Sequence, residues 1–323
     1  MIRRDGDSAR PRLGQTRDWV VGGALFVGLI LTVGLTLGWG PLLALWLTLD
    51  PRVLAGLVLL SALSYALRAV RVYDWFRPRL DGHFPALLRL TILHNTANNL
   101  LPMRVGELVF PWLMGRYFGH GFLASSATLL WIRVLDLHFL ALIALGIAWL
   151  RQPAWVWPVL ALAWVAGLGL LGVVGRRAGG AGFEPAIGGA WRRALGKALG
   201  LLAGVAPGSN RLVARIYLWT ALIWGTKFVA FATLLRHFLP VDLWQTLAGV
   251  MGAELSSVLP FHGIAGSGSY ELAAVAALVP AGVAPEAALA GAVNLHLFLL
   301  GVTLLLGPLA LLLPGGRYGR SEP

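Results

Sequence analysis

Arg104 and Glu107 stand three residues apart in Asn98-Asn99-Leu100-Leu101-Pro102-Met103-Arg104-Val105-Gly106-Glu107, within an apolar stretch. A guanidinium placed there can grip an anionic headgroup while the carboxylate holds it in place. The same two groups can instead form a structural clip at a frayed helix end. Arg133 and Asp136 repeat the three-residue spacing on the next apolar segment, which suits an internal ion pair, a tie to the broken stretch, or ligand contact. In the second half, Glu254 to Pro260 leads into Gly263-Ile264-Ala265-Gly266-Ser267-Gly268-Ser269-Tyr270-Glu271. Backbone N–H groups of Gly266, Gly268 and Ser269 at a helix start, with Glu271 in its first turn, suit a phosphate cradle. The alternative is that glycine here only permits a tight turn.

Lys227 sits mid-segment in Trp224-Gly225-Thr226-Lys227-Phe228, as a countercharge for a ligand phosphate or a partner for Glu254 or Glu271. With it, Arg68, Arg104 and Arg133 fall outside the loops, against Glu107, Asp136, Glu254 and Glu271. A charge at mid-bilayer costs at least about 2.5 kcal/mol, so equal numbers of each sign suggest mutual pairing. His94, Asn95, Asn98 and Asn99 form a polar stripe that can serve buried backbone groups. His138 and His296 are single histidines on apolar helices, read as core residues at matching positions. The sequence has no HExxH, P-loop, acidic metal cluster or nucleophile–base pair, and no cysteine, so neither a metal nor a cofactor is expected.

The elements that carry these residues are membrane helices. Apolar residues make up 58% of the chain and charged residues 12%, with a mean hydropathy of +0.75. Sustained two-residue alternation is missing, which argues against a β-barrel. The chain is therefore expected to be an all-α polytopic membrane protein. Six spans are predicted at 19–38, 53–71, 122–150, 154–175, 214–237 and 286–313. The stretches 86–118 and 242–281 are too long and too interrupted for one span each, and fit either two spans or a re-entrant helical hairpin. Polar segments complete the chain: a basic tail over 1–18, a loop over 176–213 and a tail over 315–323. The first of these is too polar for a signal-peptide core, so the first span is expected to be retained.

The net charge of +12 reflects basic residues flanking apolar spans rather than a nucleic-acid surface. With the N-terminus inside, nineteen Lys and Arg, Arg71 among them, fall on the cytoplasmic side. Three fall outside, Arg52, Arg151 and Arg236, so both termini are expected in the cytoplasm. That topology makes 53–150 and 214–313 inverted-topology repeats, each with one interrupted hairpin. Ala124-Ser125-Ser126-Ala127 with Asp136-Leu137-His138 echoes Glu286-Ala287-Ala288 with Asn294-Leu295-His296. Facing broken helices in inverted repeats place a site near the midplane.

Two motifs, Asn99 to Glu107 followed by Arg133-x-x-Asp136, and Leu259 to Glu271, resemble the membrane region of the lysylphosphatidylglycerol synthase/flippase family. That family includes the multiple peptide resistance factor, and with the span order the likeness covers most of residues 50–313. It implies a bacterial inner-membrane protein that moves or binds anionic or amino-acylated phospholipid, with Arg104, Glu107, Arg133, Asp136 and Glu271 at the motif positions. The soluble aminoacyl-transferase domain of the full synthases is not in this sequence, so synthesis is not expected of it. Position 110 is Phe where many relatives carry a basic residue, and other relatives are tied to hopanoid or polyprenyl-linked lipids, so no headgroup preference carries over. The leading expectation is a lipid flippase or scramblase-like transporter, in which protonation of Glu107, Glu254 or Glu271 is one way to drive movement. A membrane-embedded lipid-modifying enzyme and an accessory subunit presenting lipid to a separate synthase stand as alternatives. A homodimer is an open possibility.

Overall fold

The computed structural model describes residues 16–77, 80, 82–180, 204–207, 209–256 and 263–315, and every regular element among them is helical. In chain order these are α1 (Thr16–Thr36), α2 (Trp39–Ala44), α3 (Pro51–Phe76), α4 (Phe84–Leu100), α5 (Val109–Phe118) and α6 (Phe122–Arg151). They are followed by α7 (Val156–Gly180), α8 (Asn210–Phe238), α9 (Leu243–Ser256), α10 (Ser269–Leu278) and α11 (Pro285–Ala310). Short 3-10 segments, Pro102–Leu108 and Ile264–Gly266, lead into α5 and α10. The predicted tails, most of the 176–213 loop, and Ser257 to His262 lie outside the described residues.

Local chemistry sets the helix ends. Asp50 caps α3 by accepting the Arg52 N–H at 2.8 Å, with Pro51 in the first turn. Ser209 caps α8 through the Leu212 N–H. Gly119, at φ +68°, closes α5 in the left-handed conformation while the Gly119 and His120 N–H groups return to Gly115 and Met114. Pro102 stops α4 one residue earlier by forcing Leu101 into an extended conformation.

Five helices are long and apolar enough to cross a membrane: Pro51–Phe76, Phe122–Arg151, Asn210–Phe238, Ile264–Ala281 and Pro285–Ala310. A bent pair brings the number to six. The protein is thus a multi-pass membrane protein. Its outward faces are apolar, as at Leu59, Val229, Leu272 and Leu304, whereas the Arg71–Asp136 and Lys227–Glu254 pairs are interior.

Two expectations change. The span placed at 19–38 breaks, and Gly23–Thr36 and Trp39–Thr48 meet at 89°. Gly38 takes φ +73° and Pro41 starts the next turn, so a straight helix cannot pass. This is the one sharply bent apolar pair among the described residues, where two had been expected further along the chain. The returning arm of the second interrupted stretch, Ile264–Ala281, is itself of membrane-crossing length. α7, by contrast, is helical from Val156 to Gly180 and so runs through the predicted 154–175 span.

The 86–118 and 242–281 stretches do fold as helix, break and helix. α4 packs on α5 and on Pro102–Leu108, and α9 packs on α10. The second contact is close because α9 presents glycine: a Cβ at Gly252 would lie 2.5 Å from the Ala273 carbonyl oxygen and 2.8 Å from the Ala277 Cβ. Gly252→Ala is therefore expected to push α9 from α10 and destabilise the fold by about 1–3 kcal/mol, read as a lower unfolding temperature in detergent. Unchanged stability would mean that the two helices separate without cost.

Two apolar clusters hold the bundle. One joins α3, α6 and α8 through α11 around Leu57, Leu140, Phe231, Val250, Tyr270 and Phe298. The other joins α3, α4, α5 and α6 around Val72, Leu87, Leu90, Phe110, Met114 and Ile132. Between them lies a polar cleft.

Candidate functional site

α3, α4, α6, α8, α9, α10 and α11 line a cleft of about 930 Å³ including its open mouth. Its polar wall includes Arg68, Asn95, Asn98, Asn99, Arg133, Asp136, Lys227, Glu254, Tyr270 and His296. Of the residues singled out in the sequence, Arg133, Asp136, Lys227, Glu254 and Gly266 meet here, and Glu107 adjoins through Arg133. The side chain of Arg104 lies outside the described residues.

The carboxylates are held by pairing. Asp136, buried on α6, accepts from Arg71 Nη1 at 2.6 Å and from Trp224 Nε1 at 3.0 Å, and Arg71 also donates to Thr220 Oγ1. Arg133 donates to Glu107 Oε1 at 2.7 Å, which ties α6 to the first break, and lies 3.5 Å from Asp136. Lys227 Nζ meets Glu254 Oε2 at 2.5 Å, joining α8 to α9. A charge withdrawn from water is retained where such partners satisfy it.

Arg71 corrects the charge tally. It is 2% exposed inside α3, not in a cytoplasmic loop, because the chain stays helical to Phe76, beyond the predicted end of that span. With Arg71 on Asp136, Arg133 on Glu107 and Lys227 on Glu254, Arg68 is left over. Among the described residues Arg68 has no carboxylate partner, and its guanidinium sits 5.8 Å from the Trp224 ring centroid. Lys227 flanks the same ring at 5.6 Å. Arg68 and Lys227 each stand seventeen residues after the first residue of their helix, α3 and α8.

The glycine turn is committed internally. The Gly266 N–H donates to Gly263 O, the Ser267 N–H to Ile264 O, and the Gly268 N–H to Glu271 Oε2 at 2.8 Å. Ser269 Oγ donates to Gly266 O. These contacts favour the turn reading of this loop over the cradle reading. Glu271 faces away from the cleft wall, accepting the Gly268 N–H at the start of α10 and meeting His296 Nδ1. His138 is a core residue, bonded to Tyr217 and the Trp164 carbonyl. Phe110 is buried against the His94 ring.

Two residues of the cleft escaped the sequence reading as ligand contacts. Arg68 was visible as an unassigned cation, but nothing in the sequence separates an unpaired arginine from a paired one. Tyr270, 3% exposed, stacks on His296 at 4.6 Å, and its hydroxyl has no partner among the described residues. Asn99 is spent on Tyr65 and Thr303, and Asn95 on the Thr91 carbonyl, whereas Asn98 Oδ1 has no partner among the described residues.

Residues 19–307 match the family model described as the lysylphosphatidylglycerol synthase TM region. The chain belongs to that family. Among curated proteins none matches it. What this TM-region protein shares with its family is thus the membrane part, and the matched segment contains the cleft. Among its described residues no group of His, Cys, Asp and Glu could hold a metal ion.

Proposed function

We propose that this TM-region protein translocates a phospholipid with an anionic headgroup, in the manner of a flippase or scramblase. The observation that carries the reading is Arg68, a cation on the cleft wall left over after three complete ion pairs. A phosphate beside Arg68, with Arg133 and Lys227 close by, gives that guanidinium a counter-charge. Arg104 remains part of this site, while Glu107, Asp136 and Glu254 hold the cations in place. The tails stay in the bilayer against the apolar exterior.

The helix contacts support inverted repeats, and with them alternating exposure of that site. α3 to α6 and α8 to α11 pack in corresponding pairs: α3 on α4 as α8 on α9, α5 on α6 as α10 on α11, α4 on α11 as α9 on α6. α3 packs on α8, its own counterpart, and α8 packs on α11 in addition. On this reading the chain lies in a bacterial inner membrane with both termini cytoplasmic. The family's name suggests a separately encoded synthase as partner.

Proteoliposomes carrying labelled phosphatidylglycerol, its lysyl ester or a polyprenyl phosphate test the reading. Headgroup-selective movement is expected. Folded protein that moves none of the three would overturn transport and turn the search to an associated synthase.

A further inference from the structure

His296 is placed between two acceptors. Its Nδ1 lies 2.5 Å from Glu271 Oε1 and its Nε2 lies 2.8 Å from the Ala265 carbonyl oxygen. A neutral imidazole carries one N–H and can serve only one of them. Serving both takes a second proton, shared with the Glu271 carboxyl. Both side chains are nearly sealed, at 4% and 2% exposure, so a lone pair facing a carboxylate there would be strongly unfavourable.

We propose that Glu271 and His296 together bind one exchangeable proton, and that this proton docks the Gly263–Gly268 turn against α11. With the proton present, α11 holds α10 through Glu271 and the turn through Ala265. On its loss one of the two contacts goes. The turn is poised for release: Ala265 sits at φ +55°, in the region that favours glycine, and it lines the cleft with Gly266. Protonation is thereby transmitted to the cleft wall. This deepens the transport reading, on which it rests for its role, by placing the coupling ion at one named pair.

Among the described residues, the other charged groups near His296 are committed to partners, Arg68 and Glu286 excepted. Tyr270 of α10 stacks on its ring. Across the cleft, Glu254 of α9 holds Lys227 of α8, and on α6 Asp136 holds Arg71 while Arg133 holds Glu107 of the first break, which packs on this turn. Arg68 of α3 faces the same cleft. From α4 come Asn95, Asn98 and Asn99, with His94 on Gly106 O. α1 brings apolar Leu25 to the turn, and on α11 Asn294 accepts from Trp46. Glu286, in the first turn of α11, lines the same apolar groove as Glu271 on the far side of the turn.

Glu271→Gln separates the proton from the contacts. A glutamine amide donates to Nδ1 while its oxygen accepts the Gly268 N–H, so neutral His296 keeps Ala265. The chain has no cysteine, so Ser267→Cys, at a position 2% exposed, gives a unique thiol in the turn. Maleimide labelling is followed from about pH 5 to about pH 9, with and without Glu271→Gln. The expected result is a labelling rate that rises roughly tenfold more with pH when Glu271 is present. Parallel pH profiles would overturn the proposal. Hydrogen exchange of the 263–268 amides, in protein that keeps Ser267, gives the same comparison if the thiol perturbs folding. Transport with a turn indifferent to pH sinks the proton site alone. A pH-dependent turn in protein that moves no lipid sinks transport and leaves the proton site standing.

Discussion

Asp136→Ala is expected to destabilise the folded protein by about 3–5 kcal/mol, the largest stability loss of any single change considered. Asp136 is the acceptor for Arg71 and Trp224 and is 3.5 Å from Arg133. Removing it strands Arg71, which is 2% exposed and would retain only Thr220. The cost arises less from a lost attraction than from an uncompensated buried guanidinium. Arg71→Met combined with Asp136→Leu should therefore be milder than Asp136→Ala alone, because neither member is left behind. Monodisperse protein remaining after heating in detergent measures both. Equal stability of Asp136→Ala and wild type would show that Arg71 finds water or another partner at no cost.

Arg68→Gln is expected to leave folding intact and weaken lipid handling by roughly thirtyfold. The estimate takes about 2 kcal/mol for a hydrogen bond to a charged group, and tenfold per 1.4 kcal/mol. No ion pair among the described residues depends on Arg68, so its loss strands no carboxylate there. Arg68→Lys keeps the charge but loses the planar fork, and should fall between the two. The readout is the initial rate of labelled-lipid translocation at low lipid concentration, with an unfolding temperature beside it. A wild-type rate in Arg68→Gln would move the anion to Arg133 and Lys227.

Much of this architecture was legible because its signals are local. Long apolar runs mark α3, α6, α8 and α11, and Leu-Pro with glycine marks both breaks. Gly38, Gly40 and Pro41 carried the same kind of signal at the end of the first span. There the apolar run up to Leu37 outweighed it, and the bend went unread. Pairing was harder. A tie from Arg133 and Asp136 to the broken stretch was one option among three, without Glu107 as its named partner, and Lys227 to Glu254 was one of two partner options. Arg71 passed for a loop residue because hydropathy falls before the helix ends. Whether the N–H groups of Gly266 to Gly268 are spent on Gly263, Ile264 and Glu271 depends on the turn's dihedral angles, which residue types alone do not reveal.

The N-terminal helix leans on a turn made near the other end of the chain. Leu25 of α1 lies against Gly263 and Gly268, where an added Cβ would stand 3.3 Å and 3.4 Å from it, and Gly23 faces Ile264. α1 is therefore made well before the turn that covers part of its inner face. Contacts so distant in sequence close late. During biogenesis α1 accordingly keeps part of that face uncovered, with Pro102–Leu108 as an earlier neighbour, until the turn is in place.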